Sequence, residues 1–188
     1  FLTSPVQFDH LGARNAANQL ELLPHVALVS RNVIVRSENG EGTRGYTLFL
    51  SRAKVDIQHT MFEDLGRTDN YREIDDTKGG LLGTNVTHVG TNQSGRYAVF
   101  FNHLLGPENP TNTGYQFQFI GNTVADPTKW AVAVNDTSYG LIRANVVYDA
   151  DGAAFVTCTG NEIANVFANN IAIGTYGTYV DGAEINAD

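Results

Sequence analysis

Within one short stretch, Arg96, Tyr97 and His103 supply a guanidinium that can bind a uronate carboxylate, a phenol that can donate a proton and an imidazole that can abstract one. Brought together, they would serve a polysaccharide lyase, though none of them is diagnostic alone. Hydrolysis of a glycan asks instead for two carboxylates flanking the bond, and acidic groups accompany a histidine at Asp56, His59, Glu63 and Asp64. In a regular strand, alternation sends Arg96, Ala98, Phe100 and Asn102 to one face and Tyr97, Val99, Phe101 and His103 to the other, so the three are not expected to converge. The same rule separates Asp56 from His59. Trp130, Tyr46 and Tyr139, with Asn135, are the substrate-binding candidates. Of these, Trp130 after Lys129 offers the best face for a sugar ring. Asp75 and Asp76, and Asp149 and Asp151, are oxygen donors of the kind Ca²⁺ takes, but no loop has the spacing of a calcium loop, and neither a metal site nor a cofactor is expected.

Composition narrows the partners. With 12 Lys+Arg against 20 Asp+Glu the formal charge is −8, which disfavours a phosphate backbone and makes nucleic acid an unexpected partner. Cys158 is the single cysteine, so no intrachain disulfide forms; its flanks Val156 and Thr157 suggest a buried strand thiol. No apolar run approaches the length of a membrane-spanning helix, and no membrane insertion is expected. A start at Phe1 suggests a piece of a larger protein, with 1–188 forming a single domain. The sequons at Asn85, Asn92 and Asn135 permit N-glycosylation in a eukaryotic secretory route.

The elements that must position these residues announce themselves as a repeat. The frame apolar-x-x-Asn-x-aliphatic recurs as Val29/Asn32/Ile34, Val99/Asn102/Leu104, Phe119/Asn122/Val124, Ile142/Asn145/Val147 and Val166/Asn169/Ile171, with a weaker copy at Val55/Gln58/Thr60. A period in the twenties is one coil of a solenoid, and the spacing predicts six to eight coils of an all-β, right-handed parallel β-helix. Asparagine suits the corners, because it tolerates left-handed backbone and its amide can bond the asparagine one coil away. Alternation at 33–36, at 55–58 and at 116–119, where Phe117 and Phe119 stand against Gln116 and Gln118, supports strands. Residues 12–23 are the best helical candidate, ended by Pro24. The pattern lapses over about 67–94, which reads as an inserted loop, and a shorter excursion spans 106–114. Neither end carries an obvious capping repeat, so the solenoid ends are expected to dock on other protein chains or to continue.

Ser30-Arg31-Asn32-Val33, Asp64-Leu65-Gly66-Arg67 and Gly95-Arg96-Tyr97 carry a resemblance that covers about residues 8–177. The chain resembles the β-helix region of the cell-migration-inducing hyaluronidase (CEMIP) family, shared with cell-surface hyaluronidase, fibrocystin-like proteins and bacterial secreted proteins, and is most similar to a bacterial secreted-type member. The resemblance implies an extracellular or cell-surface β-helix, with some family members binding or cleaving hyaluronan. It also implies histidines after the Arg-Tyr pair, after Arg-Gly and near position 135. Here Phe100, Phe101 and Asn102 precede a lone His103, Tyr46 follows Gly45, and Asn135 stands at the last place. The expected function is therefore glycan recognition or scaffolding with a depleted set of catalytic-type histidines. The alternatives are an active polysaccharide hydrolase or lyase, and a structural subunit joined through its coil ends.

Overall fold

A computed structural model describes residues 11–80, 85–107, 114–177, 179–180 and 183–184. Three parallel sheets carry the fold. The first stacks Val55–Gln58, Phe117–Ile120, Gly140–Arg143 and Val166–Ala168. The second stacks Val33–Arg36, Thr60–Glu63, Thr123–Ala125, Val146–Ala150 and Ile171–Thr175. The third stacks Thr47–Phe49, Val99–Leu105, Val132–Thr137 and Phe155–Thr157. The chain visits them in the order first, second, third, then first again, one coil per circuit, which is a parallel β-helix. The described residues contain no helix.

Alternation explains the core. Phe117 and Phe119 point inward while Gln118 and Ile120 remain partly exposed, and Val132 and Val134 do the same on the third sheet. Phe101 is fully buried and stacks on Phe117 at 4.3 Å and on Phe49 at 5.2 Å between ring centroids. Gly140 is the partner of Phe117 in the neighbouring coil, and a side chain there would overlap the Phe117 ring.

The corner between the first and second sheets turns on one left-handed residue per coil: His59, Gly121, Ala144 and Asn169, with φ of 54°, 65°, 55° and 55°. The residue after each is Thr60, Asn122, Asn145 or Asn170, and these asparagines form a ladder. Asn122 N–H donates to Asn145 Oδ1 at 2.8 Å and Asn145 N–H to Asn170 Oδ1 at 3.0 Å. The Asn145 amide donates back to Phe119 O at 2.8 Å. Asn122 and Asn145 are fully buried, so every one of these bonds satisfies a group that water cannot reach.

The register corrects the repeat in detail. Phe119/Asn122/Val124 and Ile142/Asn145/Val147 are in phase, but their true copies are Ile57/Thr60/Phe62 and Phe167/Asn170/Ala172. Asn32 and Asn169 fall one place early, at the position His59, Gly121 and Ala144 occupy in the other coils, although the paired corners are all of equal length. The frame there matches one residue out of phase, at Asn169 because a second asparagine, Asn170, follows it. Asn102 belongs to another column altogether, on the third sheet opposite Asn135. The fullest sheet has five strands, so the described residues form five coils, not six to eight. Residues 12–23 are not a helix: Ala13–Arg14 and Leu20–Leu22 pair as an antiparallel hairpin whose turn is tied by Asn15 Oδ1 accepting from Ala17 N and Gln19 N.

Between Glu63 and Val99 the chain leaves the coil. It forms a small hairpin, Lys78–Gly79 against Val86–His88, and returns through an Asp75–Asn92 bridge. Asn92, 2% exposed, binds this excursion together: Oδ1 accepts from Asp69 N, and Nδ2 faces the carbonyls of Asp69, Arg72 and Glu73. Within 106–114, residues 108–113 lie outside the described set.

Candidate functional site

The outward face of the third sheet carries a cleft of about 610 Å³, lined by Tyr46, Arg96, Tyr97, Phe100, Trp130 and Asn135 among others. Its aromatic floor is built from coil starts. Tyr97 and Trp130 immediately precede Ala98 and Ala131, whose amides donate across coils to Trp130 O and Ala153 O. The pleat begins only at Val99, so Tyr97 does not join Val99 and Phe101 in the inner core but is buried in a separate outer cluster with Phe100 and Ala133. Its ring instead lies 4.6 Å from Trp130 and 5.1 Å, edge-on, from Phe100. Lys129 Nζ sits 5.2 Å from the Trp130 ring centre.

Strand irregularity brings in the polar end. Asn102 pairs with Asn135, yet Leu105 pairs with Thr137, so His103 and Leu104 stand opposite the single Asp136. His103 takes φ 54° and Leu104 drops into the core, fully buried, with its N–H donating to Thr137 Oγ1. The His103 ring is thereby turned outward beside Asn102. Its Nε2 lies 3.2 Å from Asp136 Oδ2 and its Nδ1 2.7 Å from Asn102 Oδ1, while Asn135 Nδ2 donates to the same Asn102 oxygen at 2.6 Å.

The excursion supplies the charged wall. Thr68 Oγ1 accepts from Arg96 N and donates to Gln93 O, and Arg96 Nη2 donates to Gln93 Oε1. Arg96 and Arg67 both stand over the Tyr46 ring, at 6.0 and 5.5 Å. The guanidinium is thus oriented by a side-chain amide, with no carboxylate among the residues that line the cleft.

Arg96, Tyr97, His103, Trp130, Tyr46 and Asn135 therefore meet in one cleft, against the expectation from a regular strand, because the pleat is broken at both ends. Tyr139 does not join them: it sits at a left-handed corner, φ 59°, against Gly106. Asp56, His59, Glu63 and Asp64 do not cluster either. Asp56 accepts from Gln58 on the first sheet, His59 turns the corner, and Glu63 faces Arg36 at 3.9 Å. Asp75 and Asp76 bind the excursion's own donors, Thr91 N–H and O–H with His88 for one, Ser94 N–H and O–H for the other. No group of three or more ligating side chains that could hold a metal occurs among the described residues.

Reading the sequence missed Gln93, Asp136 and Cys158. Asp136 has a signal, since His103 and Asp136 are separated by the same 33 positions as the paired Asn102 and Asn135. Cys158 is half-buried and lines the cleft, where a buried strand thiol was expected. Burial, and then Glu162 nearby, pushes its thiol up to about 11, which keeps it protonated and unreactive at neutral pH.

A second cleft, of about 540 Å³, opens on the other side of Arg67, lined by the 40–44 turn, Asp69, Tyr71, Arg72, Thr91 and Asp151. Tyr71 OH donates to Asp151 Oδ1 at 3.0 Å, and Arg72 Nε to Asp69 Oδ2 at 2.7 Å. Burial raises the Asp151 carboxyl above its ordinary value. From the 40–44 turn of this cleft Arg44 pairs with Asp126 at 3.0 Å, while burial holds the Asp126 carboxyl above its ordinary value.

Comparison with known proteins agrees with this architecture. Fibrocystin-L of Mus musculus is 24% identical over 194 residues, covering 92% of this chain, and Fibrocystin-L of Homo sapiens matches to the same extent. The chain spans about 4% of the length of these curated relatives. Both are mammalian, so they lend nothing to the bacterial secreted-type expectation. No solved structure matches, and no helix of the described residues is long and apolar enough to cross a membrane. The CEMIP beta-helix family description matches residues 74–186, which takes in the return limb of the excursion, both coils that floor the aromatic cleft and the coils after them. More than half of the sequence, including nearly all of the cleft, is thereby accounted for, and the chain belongs to the CEMIP β-helix family.

Proposed function

We propose that this β-helix is a glycan-recognition module of an extracellular or cell-surface protein, and that the cleft on the third sheet takes an acidic polysaccharide. The observation that carries this reading is the cleft's composition: Trp130, packed on Tyr97 at 4.6 Å, for the apolar face of a sugar ring, beside Arg96 held ready for a carboxylate. Asn102 and Asn135 add amides that can exchange hydrogen bonds with ring hydroxyls. An aromatic floor with no carboxylate among its lining residues suits binding better than hydrolysis, which would need two carboxylates across the cleft.

Immobilised hyaluronan and other uronate glycans, offered with and without Ca²⁺, test the reading when polymer size is followed alongside binding. Binding without shortening, weakened about tenfold by Trp130→Ala, is the expected result. A chain that retains nothing on any uronate glycan defeats the proposal. A second reading, a lyase, draws on the exposed His103–Asp136 pair beside Arg96 and Tyr97. Shortened product that disappears with His103→Ala would establish it in place of recognition alone. The assembly reading draws on the terminal coils, where Val33, Ile34, Val166 and Phe167 are exposed; light scattering that gives a defined oligomer with no glycan bound would favour it.

A further inference from the structure

We propose that the second cleft is a continuation subsite for the same polymer, so that a polysaccharide crosses from the aromatic cleft over Arg67 and lies against Tyr71. This rests on the recognition reading above and extends it from one cleft to two. Arg67 is the link. It lines the second cleft, while its guanidinium stands 5.5 Å from the ring of Tyr46, which lines the first. Its Nε is fixed on Arg44 O at 2.9 Å, so the saddle between the clefts is cationic and held in place.

The excursion walls both clefts. Thr91 faces the second and Gln93 the first, two residues apart on its return limb, and buried Asn92 between them anchors that limb. One element, tied by Asn92, thus carries a wall of each recognition surface. The second cleft has a ring of its own in Tyr71, 47% exposed, whose hydroxyl is anchored on Asp151. Around it Asp69, Arg72 and Asp151 present acceptors and donors for sugar hydroxyls, and Gly40, Gly42 and Gly66 put backbone on the cleft wall. Its three carboxylates, Glu41, Asp69 and Asp151, suit neutral hydroxyl-bearing positions of the polymer, whereas the Arg96 wall of the first cleft suits the charged ones. A repeating glycan of alternating acidic and neutral sugars would meet both in register.

Hyaluronan oligosaccharides of graded length, titrated calorimetrically against the whole chain, test this. Affinity should rise with length and then level off. Tyr71→Ala and Arg72→Ala should each weaken the long oligomers about tenfold and leave the shortest binding ones as they are. Tyr71→Phe, which keeps the ring, should stay close to the native chain on both. Trp130→Ala should weaken long and short alike. If Tyr71→Ala and Arg72→Ala leave long oligomers untouched, or weaken every length equally, the subsite is refuted while the first cleft stands. If no length binds, or Trp130→Ala changes nothing, the recognition reading fails first and the subsite with it.

Discussion

The coils and the excursion are held together by different means. In the coils, backbone ladders and a dry core do the work, and the side chains that bond there, Asn122 and Asn145, are fully buried and neutral. In the excursion the ties run from side chain to backbone, through Asn92, Asp75, Asp76 and Thr68, several of them exposed and two of them carboxylates. Scaffold stability and site geometry therefore have separate physical origins. Damage to the first unfolds the protein, and damage to the second moves the walls of both clefts.

Mutations can break or sharpen that separation. The largest effect is expected from Phe101→Ala, which empties the centre of the core and should cost about 4 kcal/mol in a urea unfolding curve. Asn145→Ala comes next, at about 3 kcal/mol, since it strands Asn122 N–H and Phe119 C=O where no water enters. Asn92→Ala should behave differently. Its unfolding midpoint should move far less than that of Asn145→Ala, while amide exchange over 69–94 accelerates and uronate binding drops. Equal losses of global stability from the two asparagines would erase the distinction.

The smallest effect is a titration. Thr91 N–H, then His88, then the Thr91 hydroxyl hold the Asp75 carboxyl down at about 2, below its ordinary 3.8. A depressed carboxyl contributes its full stabilisation above the unfolded value and loses it as pH falls through the folded one. Protection of the Thr91 amide should therefore fade between about pH 4 and pH 2, with Phe101 still protected, and in Asp75→Asn that fading should be absent.

The architecture was legible because stacking repeats its demands. Inward aliphatics and a corner asparagine recur at 119–124 and 142–147 in the correct phase. Phase was lost where adjacent residues fit the frame equally well, as at Asn169 and Asn170, with corners of equal length. It was also lost where two corners used the same residue: Asn102 looks like Asn122 in sequence and stands on another sheet. The site was legible as residue types and illegible as a place. Alternation, correct from Val99 to Asn102, fails on either side of that segment, because Tyr97 precedes the pleat and His103 sits in a two-against-one bulge. Backbone irregularities of this kind leave no periodic mark. Gln93 was missed for another reason: its role depends on Arg96, which the excursion brings to it through Thr68.

A stack of coils melts like a column of coins loosened from its ends, each outer coil leaning on a single neighbour. Trp130, Tyr97, Phe100 and His103 sit on the two interior coils begun by Val99 and Val132, with coils on both sides of them. Fraying of the outermost coils, where Val33 and Phe167 face solvent, would leave the aromatic floor standing until the column finally collapses.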